Sequence, residues 1–243
     1  MRHGLGLGLT SGLKVPKSKV FISRASIGTY YDSSGIVQTA AVNVARYQLG
    51  QLLLESAETN LFLHSDDLTN AVYKDMFPGG STTSIVSSGF LAPDGNNTAF
   101  GLTGNGGTTT FLSTRGSIAG VAKPNLYFSV YAKAGTYTQF CLGSDYSGDE
   151  ASFNLSTGVS TNIYGSQSSM LPLTNGWFRC QVKLNAASSN YAARFFLIYP
   201  GTFQGSTSPN TLYFWGPQLE TGSYSSYFPS GATVGTRAAD IFS

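Results

Sequence analysis

The chain has 243 residues, of which 11% are charged and 13% aromatic, with 14 Tyr, 16 Phe and 29 Gly but only two Cys and two His. Globular proteins carry about 25% charged residues, so the surface here must be covered largely by Ser, Thr, Asn and Gly. The aromatic content excludes a disordered chain. The formal net charge of +2 is unevenly spread, because residues 1–24 hold Arg2, Lys14, Lys17, Lys19 and Arg24 and no acid.

The N-terminal stretch MRHGLGLGLTSGL alternates Gly with Leu from Gly4 to Leu9. That core is shorter than the roughly 7–15 apolar residues of a secretory signal, and no stretch approaches the ~20 apolar residues of a membrane span. Glycine at every second position also disfavours a helix. Residues 1–19 therefore read as an extended arm, with Pro16 near its end and a folded body starting near Val20. A basic arm on a mildly acidic body suits docking against an acidic surface. Nucleic acid is not expected, since five dispersed cations come with no recognisable reader motif.

Further along, DDLTNAVY at 66–73 reads as a turn or a single helical segment after an Asp cap. Residues 81–107 are rich in loop signals, with short strands at 84–86 and 98–102. In NLYFSVYAKAG, Leu126, Phe128, Val130 and Ala132 alternate with Tyr127, Ser129, Tyr131 and Lys133, which predicts a strand ending at Gly135. TYTQFCLGSD, ASFNLSTG, GWFRCQVKL, YAARFFLIYPG and TLYFWGPQLETG follow the same pattern of β-formers bounded by turn residues, and 154–160 reads as a hairpin turn. Strands without intervening helices imply a sandwich or barrel.

Two strands are apolar on both faces. Phe196 and Ile198 oppose Phe195, Leu197 and Tyr199; Leu212 and Phe214 oppose Tyr213, Trp215 and Leu219. A strand exposed on one face would be polar there. The second face must be covered by the chain's own loop or N-terminal region, by a sister subunit, or by a sugar.

Little in the sequence signals catalysis. Cys141 and Cys180 form no CxxC pair, and Cys180 falls on the apolar side of its strand with Phe178, Val182 and Leu184, so two free thiols are expected. Of the histidines, His3 lies in the arm and His64 reads as a turn residue. There is no GxSxG elbow and no phosphate-binding glycine loop. The twelve acids sit mostly at turns, and no pair stands out as the two carboxylates of a glycosidase. Asp66, Asp67, Asp145 and Asp149 have the oxygen chemistry that Ca2+ prefers, yet turn-forming aspartate explains them better. No catalytic residue, cofactor or metal is expected. Tyr127, Tyr131 and Trp215 are strand aromatics suited to core or subunit packing, or to stacking on a glycan.

The strings VFISRASIGTYYDSSGIVQTAAVNVARY, LLLESAETNLFLHSDDLTNAVY, LYFSVYAKAG, GWFRC and LYFWGPQLETGSYSSYFPSGATVGTRAAD occur in that order. Together they resemble the phage virion domain of head-spike and tail-fibre proteins, which is similar to carbohydrate-binding modules with a jelly-roll β-sandwich. The likeness spans 20–240. It implies an all-β, jelly-roll-like antiparallel sandwich over 20–243 behind the arm, and a non-enzymatic component of the outer virion surface. No binding residue is carried over. A jelly roll commonly brings its ends together, so the strings around Arg24 and Arg237 are expected side by side near the anchoring end.

The expectation is therefore a capsid decoration or head-spike protein. Leu5, Leu7 and Leu9 would add an edge strand to the major capsid protein or another virion protein, and Lys14, Lys17 and Lys19 would supply complementary charge. A homotrimer would cover the two-sided strands and match virion symmetry. The alternative is a tail-associated module that attaches to host surface polysaccharide.

Overall fold

A computed structural model of the chain describes residues 21–48, 50–70, 83–104, 111–113, 125–144, 150–163, 166–184, 193–196 and 210–242. The arm, with Leu5, Leu7, Leu9, Lys14, Lys17 and Lys19, lies outside the described residues, as do Asp145, Asp149 and the end of the 66–73 segment. Short pieces come first: β1 (Ile22–Ser23), β2 (Gly28–Tyr31), β3 (Val37–Ala40), β4 (Tyr47–Gln48), β5 (Gln51–Leu52) and β6 (Glu58–Asn60). Longer strands follow: β7 (Thr83–Phe90), β8 (Ala99–Gly104), β9 (Phe111–Ser113), β10 (Leu126–Ala134), β11 (Gln139–Ser144), β12 (Glu150–Asn154), β13 (Val159–Ile163), β14 (Gln167–Pro172), β15 (Trp177–Leu184), β16 (Ala193–Phe196) and β17 (Asn210–Glu220). The chain closes on β18 (Gly235–Arg237) and β19 (Ile241–Phe242). Among the described residues there is no α-helix, and 62–70 is a run of turns in which Asp67 caps the Thr69 amide at 3.0 Å.

All pairings are antiparallel. One sheet runs β14-β15-β10-β17-β8-β7 and the other β13-β12-β11-β16-β9. The alternation read from NLYFSVYAKAG and GWFRCQVKL holds: Leu126, Phe128, Val130, Ala132, Cys180, Val182 and Leu184 all enter one core. Facing them from the second sheet are Phe140, Leu142, Ala151 and Phe153. The Phe140 ring meets Phe214 edge-on across the two sheets at 5.1 Å and stacks on Phe153 at 5.2 Å. Two antiparallel sheets joined by interdigitating inner faces make a β-sandwich. Cys141 and Cys180 are both free and buried. The 154–160 hairpin forms as expected, with the Asn154 side chain accepting the amides of Ser156 and Thr157 and Gly158 at φ +71°.

β17 departs from the alternation read in its sequence. Its register with β10 shifts by one between Ser129 and Tyr131, so that Gly216 and Pro217 together oppose Val130. This is a bulge, and the two residues explain it. Gly216 sits at φ +55°, where other residues are strained, and Pro217 has no amide proton to give to the ladder. Past the bulge the faces exchange. Leu219 turns into the core with Leu212 and Phe214, rather than lying with Tyr213 and Trp215, and Gln218 and Glu220 take the outer face.

That outer face of the six-stranded sheet is covered by the chain itself. Tyr31 and Val37 of the β2–β3 hairpin, with Ala92 and Tyr227, pack on Ala99, Tyr131, Trp177 and Trp215 of the sheet as a second apolar cluster. Of the three covers considered for the two-sided β17, its own chain is the one found. The two-sided run at 195–199 lies outside the residues whose side chains are described.

Candidate functional site

The cover is held down by polar groups that the outer face presents. Gln218 Nε2 donates to the carbonyls of Ser225 and Ser226, each at 3.3 Å, and its Oε1 accepts the Phe228 amide at 2.9 Å. Glu220 accepts the Ser225 amide at 3.1 Å as well as its hydroxyl. Asn60 plugs the bulge: its Oδ1 accepts the Leu219 amide at 3.1 Å and its Nδ2 donates to the Phe228 carbonyl at 3.1 Å. Residues 225–228 thus lie along the sheet as a strap fixed by side chains rather than by a ladder.

Above the strap lies a buried ion cluster. Arg24 Nη1 meets Asp240 Oδ1 at 2.8 Å, Arg46 bonds Asp240 Oδ2 and meets Glu55 at 2.7 Å, and Arg237 approaches both carboxylates at 3.5–3.6 Å. Glu55 in turn accepts the amide and hydroxyl of Ser226 at 2.6 and 2.7 Å. Burial pushes the Asp240 carboxyl up, but the bond from Arg24, the charge of Arg46 and the Glu55 amide outweigh it and leave Asp240 below its ordinary value. The Ser26 hydroxyl accepts the Ala238 amide, and β1 pairs with β19. The strings around Arg24 and Arg237 do lie side by side, as the sequence led us to expect.

Among the described residues, two cavities lie between the sheet and its cover. The first, of about 260 Å3, is lined by Tyr31, Tyr131, Arg179, Gln181, Tyr224 and Ser226 among others. Arg179 is only 6% exposed. Its Nη2 donates to the Ser225 carbonyl at 2.5 Å and to Ser129 Oγ at 3.1 Å, and its Cζ sits 5.7 Å from the Tyr131 ring centre. Its Nε has no hydrogen-bond partner. The Tyr31 and Tyr131 hydroxyls share a bond of 2.9 Å. Burial raises the Tyr131 and Tyr224 phenols above their ordinary value, so both stay neutral donors. Burial also raises Glu220, against the bonds from Ser225 and Gln218 and the charge of Arg179.

The second cavity, of about 290 Å3, is lined by Trp215, Tyr227, Thr39, Thr98, Asp66 and Asp94 among others. Trp215 spends its indole N–H on Thr98 Oγ1 at 3.0 Å, and Asp94 is occupied by Asn96.

The three strand aromatics singled out from sequence are not brought together at one surface. Tyr131 and Trp215 are 1% and 9% exposed and stand 5.1 Å apart, one bordering each cavity. Tyr127 lies further along β10, half-buried against Tyr224 at 5.0 Å with the Lys183 ammonium 5.8 Å from its ring centre. His64 is a turn residue at φ +49°.

Sequence reasoning missed Arg179, which alternates with Phe178, Cys180, Val182 and Leu184 and so falls on the polar side of its strand. A signal was present: in a chain with 11% charged residues, an arginine flanked by Trp177, Phe178 and Cys180 has no obvious route to water. Against models of known protein families the chain finds no match, and a search of the curated proteins finds none either.

Proposed function

We propose that this chain is a bacteriophage virion protein, a capsid decoration or head-spike component that displays its β-sandwich on the outside of the particle. The observation that carries this reading is the meeting of the chain's ends. β1 pairs with β19 and Arg24 and Arg237 share Asp240, so the basic residues before Phe21 join the body beside its last strand. A body attached at one end and free at the other is what display requires. The strand nesting lends support. In chain order β8, β9, β10, β11, β12, β15, β16 and β17 take the orders 1-8-3-6 and 2-7-4-5 in the two sheets, the nesting of a jelly roll, an architecture common in viral capsid and lectin domains. The likeness of 20–240 to the virion domain points the same way.

The trimer loses one argument, because the second face of β17 is covered within the chain; it now rests on virion symmetry. Deleting residues 1–19 should leave a folded body that no longer joins particles, as read by gel densitometry and cryo-microscopy of purified virions. Normal occupancy by the truncated chain would overturn the anchor. The second reading, a tail module that holds host polysaccharide, is favoured by the two cavities with their aromatic walls and hydrogen-bonding rims. Labelling the chain on intact virions distinguishes head from tail, and a glycan array tests the binding.

A further inference from the structure

The second cavity has acceptors and negative charge to offer and little else. Among the described residues its lining includes two carboxylates, Asp66 and Asp94, and no lysine, arginine or histidine. Asp94 accepts the Asn96 amide on one oxygen and the Asn96 side chain on the other, each at 3.0 Å. A carboxylate oxygen has two acceptor sites, so one remains on each. Among the described residues nothing bonds the exposed Asp66 carboxylate. Burial raises the Tyr227 phenol, and the charges of Asp66 and Asp94 raise it further against the bond from Ser65. Both carboxylates therefore act on one ring of the cavity wall.

The buried donors of the wall are already spent. The Thr29 hydroxyl goes to the Tyr227 carbonyl at 2.7 Å, the Ser65 and Tyr227 hydroxyls share a bond of 3.3 Å, and the Trp215 indole N–H goes to Thr98. A ligand must bring the donors and the positive charge itself. A calcium ion takes about six to eight oxygens, and no group of three metal-binding side chains is gathered among the described residues. The rings of Trp215 and Tyr227, 4.6 Å apart and tilted by 54°, form an angled wall instead. Aromatic rings attract an organic cation and pack against its C–H groups. At about 290 Å3 the cavity stands at the lower end of small-molecule sites, which begin near ~300 Å3, and suits one sugar ring.

We infer that the Trp215–Tyr227 cavity is a binding site for an amino sugar with a free ammonium group, with Asp66 and Asp94 holding the ammonium, the two rings packing on the sugar, and the exposed Thr39 and Thr98 hydroxyls meeting its own. This deepens the polysaccharide-attachment reading and rests on it for the source of the ligand. Binding is measured on the isolated chain and placement on the virion, so the failure of one is distinguishable from the failure of the other.

The experiment is calorimetric titration of the full chain with methyl β-D-glucosaminide, its N-acetyl derivative, methyl β-D-glucoside and ethanolamine, at a pH where the free amines are protonated. The glucosaminide should bind at least about tenfold more tightly than the other three, the scale of a hydrogen bond to a charged group, and the preference should shrink as salt is added. Asp66→Asn changes an exposed group that bonds nothing, so it should leave thermal unfolding unaltered and weaken the glucosaminide severalfold. Gln181→Ala, in the lining of the first cavity, should leave the affinity unchanged. Equal binding of the glucoside or the N-acetyl sugar, or no heat from the glucosaminide at any attainable concentration, overturns the proposal. Ethanolamine binding as tightly as the glucosaminide overturns the sugar assignment, and loss of affinity in Gln181→Ala but not in Asp66→Asn overturns the placement.

Discussion

Asp240 holds three arginines at once, and its loss would strand them. Arg24 and Arg46 bond its two oxygens and Arg237 stands 3.5 Å away, all with side chains shut off from water. Removing one partner of a buried ion pair costs about 3–5 kcal/mol, so Asp240→Ala should lower unfolding free energy by that order in urea titrations. The pH dependence has two limbs. Asp240 ionises below its ordinary value of 3.8 when folded, so its stabilisation is complete above that value and is lost as pH falls through the lower folded one. Glu220 behaves in the opposite sense. Its folded value lies above 4.5, the native state keeps the proton longer than the unfolded chain does, and stability falls as pH rises through that window. Urea midpoints measured across pH should show the acid limb disappear in Asp240→Asn and the second limb flatten in Glu220→Gln. The cysteines give a third residue-scale expectation. Burial pushes the Cys141 thiol up to about 12 and raises Cys180 as well, so a disulfide reagent should label neither until the protein unfolds.

At the scale of elements, the long strands were legible in the sequence because a period of two survives wherever one face meets the core. β10 and β15 were read correctly down to the residues that enter it. β17 was not, because a bulge resets the period and reverses every side chain after it. Pro217 inside an otherwise central strand was the readable sign of it. Burial of the polar side was illegible in another way. Arg179, Gln218 and Glu220 alternate with core residues as solvated positions do, and only the strap that folds back over them just past the end of β17 buries them. The cover itself, built on strands of two to four residues, is too short to show any period. The bulge makes a sharp test. A Cβ at Gly216 would come within 3.0 Å of the Tyr227 ring and would hold a non-glycine residue at φ +55°. Gly216→Ala should cost about 1–3 kcal/mol from the backbone alone. Asn60→Ala, which strips the Leu219 amide and the Phe228 carbonyl of their partner, should cost about the same through buried groups left unsatisfied. Both are measured by thermal or urea unfolding.

Over the whole molecule these pieces form two bodies of different character. The sandwich is held by apolar contact between two sheets, while the cover is held to one of them by a polar strap and an ion cluster whose members are far apart in sequence. Arg24 and Asp240 are separated by 216 residues, and Thr29 reaches the Tyr227 carbonyl across 198. Such links carry no local pattern, so the strand spacing points to a sandwich and leaves its cover unread. Arg24, Glu55, Asn60, Gln218, Glu220, Arg237 and Asp240 are among the residues that close that cover. Because the cover closes through its last residues, it should open as a unit when they are removed. A chain ending at residue 235 lacks Arg237, Asp240 and β19, which takes Asp240 from Arg24, leaves Arg46 with Glu55 and leaves β1 without its partner. Hydrogen exchange on that chain should show the amides of 22–31 and 225–228 losing protection, while those of β10 and β15, sealed by the core between the sheets, keep theirs. Equal loss in both would mean that sandwich and cover fold as one cooperative body, and that the ion cluster stabilises the core as much as the cover.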